Sequence, residues 1–457
     1  MKKAFHKIIR EENFLSLAGN LVIAASGLAG FALLARSLAL NQFGEWVLFI
    51  SSGSFIEMFR FGITNTGLVR YLSGADQDAR IKLIGSNSVI SLGSTGFIIA
   101  LMLICNWLFH DTLEQSGYGL FFTWYPLMAL VNLPWNNALV VLQADRQYGK
   151  MLLIKALNSI PFLFVVLINY FTDYFTITEL AIALLLINAL TSAISLFAGW
   201  DGIRFLFKAS RETTSRLLHF GKYTTFTLVG TNLLRSADSI IISLSPLGVS
   251  AVALYSIPLK LTELQQIPLR SFAATAFPKM SKASIEGRTE ELRKLFYTYT
   301  GAITYLFVAV SLFTFVFADF FVLLLAGKAF LQNNPDAAQA VLIVRIFSLY
   351  GLILPLDRMT GIALDSINRP GVNALKVLFM VLVNIIGDLL AVFVFNSLVL
   401  VAVSSILFTG IGIWLGMYFL DKELKTHVPE IFSQGIQFYK NIFQKISGRN
   451  INVPVNR

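Results

Sequence analysis

The sequence predicts an all-α integral membrane protein of twelve transmembrane helices, with both ends on the cytoplasmic side. Three observations predict it. Of 457 residues, 56% are hydrophobic and 14% charged, with a mean hydropathy of +0.69; so apolar a chain cannot cover itself with polar surface in a soluble fold of this size. Apolar stretches of about 20 residues, the length a helix needs to cross a hydrocarbon layer about 30 Å thick, recur twelve times. Finally, 26 of the 36 Lys and Arg residues lie in or at the ends of alternate loops, the set that includes both termini. Basic loops resist translocation, which places that set in the cytoplasm. The net charge of +10 is therefore a topology signal and implies no nucleic-acid partner.

The first span, 14–35, follows Lys2, Lys3, Lys7 and Arg10. It is too long for a signal-peptide core and eleven spans follow, so it reads as an uncleaved helix. Its Gly19, Ser26, Gly27 and Gly30 permit close helix approach, for packing or as a hinge. The second and third spans, 46–69 and 83–109, flank the basic pair Arg80 and Lys82. The fourth, 120–142, carries Pro126 and Pro134, and the fifth, 151–170, follows Arg146 and Lys150. The sixth, 180–200, closes the first half. A long basic stretch, 201–222, then separates an N-terminal lobe, 1–200, from a C-terminal lobe, 220–420, with 201–219 as a cytoplasmic linker. The second half comprises 220–244, 252–277, 299–325, 341–364, 372–395 and 398–420. Pro258, Pro268 and Pro278 mark the eighth span and Pro355 the tenth; each removes a backbone hydrogen bond and permits a kink. An even number of spans per half predicts parallel repeats, and Phe43 to Leu48 opens the second span much as Val252 to Ile257 opens the eighth.

The opposite set of loops is short, the longest being 326–340, and holds Lys328, with Arg36 counted at the end of the first span. There is no room for an extracytoplasmic catalytic domain. In the tail, 421–457, Val428, Ile431, Phe432, Ile436, Tyr439, Ile442, Phe443 and Ile446 recur at helical spacing, with Lys440 and Lys445 on the polar side. This predicts an amphipathic helix on the inner leaflet, whose anionic lipids attract the lysines. The lone Cys105 and four scattered His residues have no disulfide or metal-ligand spacing, so neither metal nor cofactor is expected.

Function must then lie between helices, where an ionisable group at the bilayer centre costs about 2.5 to 3.5 kcal/mol and so faces a bundle interior or wet cavity. Arg345 and Arg235 fall in the outer half of their spans, Lys260 and Arg60 near the middle, and Arg270 and Arg358 toward the cytoplasm. Converging, these would form a ladder of cations for a phosphate or pyrophosphate. Arg70 and Lys155 read as interface anchors. Acids accompany several cations at helical spacing, Glu57 with Arg60, Asp238 with Arg235 and Glu263 with Lys260, so mutual neutralisation is the competing reading. Asp357 and Asp388 are further buried acids. With Asp238 and Glu57 they are the candidates to bind a coupling proton or sodium ion.

Distinctive motifs lie near the N-terminus: Leu34-Ala35-Arg36-Ser37-Leu38, then Asn41-Gln42-Phe43-Gly44-Glu45-Trp46, Phe61-Gly62-Ile63 and Leu68-Val69-Arg70-Tyr71-Leu72. On these the chain resembles the Wzx-type flippases of the polysaccharide transporter group, in the superfamily that also holds MATE drug exporters and lipid II flippases. The resemblance implies two six-helix lobes around a central cavity. It implies alternating access that moves an undecaprenyl-diphosphate-linked oligosaccharide from the cytoplasmic to the periplasmic leaflet of a bacterial inner membrane, for surface polysaccharide such as O-antigen. Membrane lipids and other glycan-assembly proteins are the implied partners. Arg36 and Arg70 match the family pattern, whereas Arg60 stands where an acidic or small residue often precedes the Phe-Gly pair.

Three other readings compete. A cation-coupled multidrug exporter of the same fold would have an acid-dominated cavity. A membrane-embedded glycosyltransferase, polymerase or ligase would need larger extracytoplasmic loops, and a scaffold would not explain the deep ionisable groups.

Overall fold

The computed structural model describes residues 12–446 except 63, 73, 74, 146 and 334. Lys2, Lys3, Lys7, Arg10 and Arg146 lie outside the described residues, as do the side chains of Arg70, Arg235, Ile442, Lys445 and Ile446. Among the described residues the chain is almost wholly helical and contains no strand. It divides into two compact units, Met1–Leu254 with Leu324–Asn333 and Tyr255–Leu323 with Asn334–Arg457.

The first unit contains α1 (Glu12–Ser37), α2 (Leu40–Gly62), α3 (Asn65–Leu72), α4 (Gln77–Gln115), α5 (Gly119–Val131), α6 (Leu133–Ala144), α7 (Tyr148–Thr172) and α8 (Ile177–Phe197). A 3-10 turn (Ile203–Lys208) and α9 (Arg211–Ser243) follow, so much of the stretch expected as a linker is ordered structure. The next helix, α10 (Gly248–Ile285), passes from the first unit to the second at Tyr255. Then come α11 (Thr289–Val316), α12 (Ala318–Asn333), α13 (Ala337–Ser366), α14 (Pro370–Leu389), a π turn (Leu390–Val394), α15 (Leu398–Leu424) and α16 (Val428–Ile446).

Helix occupies most of each expected span, although the ninth, 299–325, breaks at Phe317 between α11 and α12. Among the described residues nine helices are long and apolar enough to cross a membrane, ten if α5 and α6 form one span. The helices α9 and α10, of 33 and 38 residues, have the length, but their polar residues keep them below that apolarity. The α4 helix shows the pattern that lipid selects: Asn87, Ser91 and Thr95 are buried, while Phe97, Leu101 and Trp107 are exposed. Polar groups in such a helix turn toward neighbouring helices because hydrocarbon offers them no partner.

Three elements differ from expectation. The fourth span is two helices bent by 46° at Asn132. Pro134, in the first turn of α6, has no N–H for the carbonyl four residues back, so the ladder breaks there. Of the expected outer loop 326–340, residues 326–333 belong to α12, which Gly327 interrupts at φ +84°, and 337–340 to α13. The tail helix forms, but it packs on α11 as well as offering an apolar face. Glycine meets glycine at the crossing, where a Cβ on Gly301 would stand 2.0 Å from the Ile431 carbonyl oxygen. The Tyr439 hydroxyl donates to the Ala302 carbonyl (2.8 Å), the Tyr297 hydroxyl accepts from the His427 amide (2.7 Å), and Ile431 is fully buried. Val428, Phe432, Ile436 and Phe443 remain exposed.

Close packing fixes each unit internally. In the first, α1 lies along α7, with Gly19 against Lys155, whereas Gly27 and Gly30 have no described neighbour within 4 Å. Trp46 stacks on Phe162 (5.6 Å). In the second, Phe296, Tyr297, Phe307 and Met359 are buried where α11, α13 and α15 pack together.

Candidate functional site

The broken fourth span builds a polar centre in the first unit. Arg60, in the last turn of α2, has a side chain 0% exposed. Its guanidinium donates to Glu57 Oε1 (2.8 Å), to Thr95 Oγ1 from Nη2 (2.6 Å) and Nε (3.2 Å), and to the Ala129 carbonyl (2.6 Å). Ala129 is among the last four residues of α5, whose carbonyls have no intrahelical donor. The helix break therefore creates an acceptor, and the arginine fills it. Glu57 Oε1 also accepts from Tyr125 Oη and Asn132 Nδ2, both at 3.1 Å. Asn132 sits at the bend and accepts from Trp135 Nε1 (3.2 Å). The second carboxylate oxygen, Glu57 Oε2, is buried without a protein donor among the described residues. A polar chain continues through Ser91, which donates to Asn137 Oδ1 (3.1 Å), with Asn87 donating to the same oxygen (3.2 Å).

Arg60 is thus held by three protein acceptors through four hydrogen bonds and orients Glu57. A buried ion pair survives only when such hydrogen bonds offset its desolvation.

The second unit holds two further polar centres. Asp357 of α13 accepts from Lys376 Nζ of α14 (2.7 Å), and the same ammonium donates to the Asp357 carbonyl (2.9 Å). Lys376, one of the 26 basic residues that the sequence places with the cytoplasmic loops, is 3% exposed instead: it is a buried helix residue drawn in by a carboxylate that must otherwise lie unpaired. Two residues before the π turn, fully buried Asp388 accepts from Ser404 Oγ (2.5 Å) and Asn384 Nδ2 (3.1 Å).

The remaining candidates are dispersed. Lys260 pairs with Glu263 (2.8 Å) within α10. Arg345 pairs with Asp319 of α12 (3.0 Å), a partner 26 residues away that helix spacing cannot show. Arg36 is exposed and donates to the Leu324 carbonyl (2.5 Å) in the first unit. Arg270 and Arg358 are exposed, and Asp238 is buried. The side chain of Arg235 lies outside the described residues. Sequence reading missed Lys376, Tyr125, Asn132, Thr95 and Ser404; only the proline after Asn132 hinted at the break. Among the described residues no cluster of three His, Cys, Asp or Glu suits a metal ion.

A family profile described as "Polysaccharide biosynthesis protein" matches residues 31–335, about two thirds of the chain. No curated protein matches it. Among solved structures, the fold is similar to that of an inward-facing multidrug resistance MATE family transporter of the MOP superfamily. That match has a TM-score of 0.74 at 16% identity and covers 90% of this chain and 100% of the other. It is likewise similar to the lipid II flippase MurJ in an inward closed conformation, with a TM-score of 0.71 at 12% identity over 96% of this chain and 94% of the other. A MOP superfamily transporter from Pyrococcus furiosus matches at a TM-score of 0.60 and 16% identity, over 92% and 95% of the two chains.

Proposed function

Because this chain belongs to the polysaccharide biosynthesis protein family and has a MOP transporter fold, we propose that it flips an undecaprenyl-diphosphate-linked oligosaccharide from the cytoplasmic to the periplasmic leaflet of a bacterial inner membrane. The family match over residues 31–335 carries this reading. Physical chemistry supports it: a sugar diphosphate cannot cross hydrocarbon without a polar path, whereas the polyprenyl tail can stay in lipid. We assign the twelve-span, N-in and C-in topology, and two lobes exchanging access, to the same proposal.

The candidate roles divide by environment. Arg270 and Arg358, whose side chains are exposed, are the cations proposed to meet the diphosphate, with Arg36, Arg235, Lys260 and Arg345 as supporting contacts. Arg60 and Lys376 hold carboxylates instead. Asp388, Asp238, Asp357 and Glu57 are the proposed sites for a coupling proton or sodium ion. A multidrug exporter is the second reading, favoured by the similarity of the fold to that of a MATE family transporter.

The test is leaflet-resolved movement of a lipid-diphosphate oligosaccharide in proteoliposomes. Arg270→Ala and Arg358→Ala are each expected to slow flipping about tenfold, equivalent to about 1.4 kcal/mol of transition-state stabilisation. Flipping at the parental rate in both variants would remove these arginines from the path. Absence of flipping, with export of a cationic dye, would replace the flippase reading by the exporter.

A further inference from the structure

After α8 the chain turns through Gly199 (φ +65°) and Gly202 (φ +75°) into the 3-10 turn. The turn is pressed onto α4: a Cβ on Gly202 would lie 2.2 Å from Ile84 Cγ2, and one on Gly85 would lie 2.2 Å from the Phe205 carbonyl oxygen. Its position is therefore fixed by backbone contact. Between this turn, the start of α4 and the connection from α6 to α7 lies a cavity of about 370 Å³, lined by Arg80, Asp145, Lys150, Trp200 and Arg204 among others.

The cavity has a surplus of positive charge. Arg80 and Asp145 pair at 2.6 Å and neutralise each other. Lys150 lies over the Trp200 ring (5.3 Å) and Arg204 over the Phe205 ring (4.7 Å); among the described residues neither forms an ion pair. Nearby Asp201 is buried, accepts from the Ile203 amide (3.0 Å) and is attracted by the Arg204 charge; with both acids counted, three cations still outnumber two anions. In the sequence, Phe197 precedes and Phe207 follows the lining residues Ala198 to Phe205, and they are 93% and 95% exposed. Two such rings in the same region as exposed cations suit a membrane interface: the rings enter the acyl boundary while the cations face phosphate.

We propose that this cavity binds the phosphoryl headgroup of an anionic phospholipid in the leaflet facing the basic loops. Lys150 supplies a point charge and Arg204 a planar fork for the phosphate oxygens. Arg80 keeps Asp145 from repelling the ligand. The site is separate from the Glu57 centre and does not depend on which glycan is carried.

The experiment is native mass spectrometry of the delipidated full chain, titrated with phosphatidylglycerol, phosphatidylcholine or inorganic pyrophosphate. Phosphatidylglycerol is expected to bind the parent about tenfold more tightly than it binds Lys150→Gln/Arg204→Gln. Phosphatidylcholine is expected to bind the parent and the variant equally. Parental affinity for phosphatidylglycerol in the double variant would overturn the proposal, as would pyrophosphate competing at equal affinity, which would assign the site to soluble phosphate. Should the double variant lose helical circular dichroism, the single variants, each altered at an exposed side chain, decide: a loss of about threefold in each supports the site, and parental affinity in both overturns it.

Discussion

At the scale of residues, two buried basic side chains, Arg60 and Lys376, are structural partners of acids. Arg60→Met would leave Glu57 in its buried pocket with neutral donors only, and breaking a buried pair from one side costs about 3 to 5 kcal/mol. Unfolding in detergent should show that loss, and Glu57→Gln/Arg60→Met should recover more than half of it. A double variant no more stable than the single would mean that Thr95 and Ala129, rather than Glu57, are what Arg60 supports. Lys376→Met carries a sharper contrast. As a loop lysine it would change stability by less than about 0.5 kcal/mol; as the buried partner of Asp357 it should destabilise by several-fold more, with Asp357→Asn/Lys376→Met partly restored. The pairing of Glu57 with Arg60 was legible from their spacing. That of Arg345 with Asp319 was not, because it joins two helices.

At the scale of elements, the bend at Asn132 and the docking of α16 each rest on a small number of atoms. Pro134→Ala restores a donor to the helix ladder and is expected to straighten the fourth span. Spin labels at the ends of α5 and α6 should then move apart, and an unchanged distance would place the cause of the bend in Asn132 packing instead. Gly301→Leu puts a branched side chain where a single Cβ already meets the Ile431 carbonyl oxygen. Overpacking of this kind costs about 1 to 3 kcal/mol, so α16 should detach and trypsin should cut at Lys440 about tenfold faster. A rate equal to the parent's would show that Tyr439 and His427 hold the helix without the glycine contact. The amphipathic period of the tail was evident in its sequence; the docking was not, since glycine carries no apolar signal.

At the scale of the whole molecule, the alternation of basic loops makes a prediction that membrane-impermeant labelling can check. Cysteine placed at Lys282 or Lys422 should react only from the cytoplasmic side, and at Lys328 only from the opposite side. Labelling of Lys282→Cys and Lys328→Cys from the same side would reverse the topology between α10 and α12. Contact-based division of the chain falls inside α10, at Leu254 and Tyr255, and α9 packs against α2 and α4 in the first unit. Loop charge marks where the chain turns at the membrane surface; compactness depends on which helices share side-chain contacts, and the two need not coincide.

The sequence by itself determined the class, the placement of helices and the family resemblance, because apolar length, loop charge and short motifs are local properties that lipid and family pattern read directly. Only the tertiary structure decided which charges are spent on one another. Arg60 is held by Glu57, Thr95 and the Ala129 carbonyl, Lys376 is buried on Asp357, and Lys150 and Arg204 gather beside Arg80. The reason is physical: whether a buried cation is a ligand or a tie depends on acceptors within about 3 Å, and those come from helices far apart along the chain.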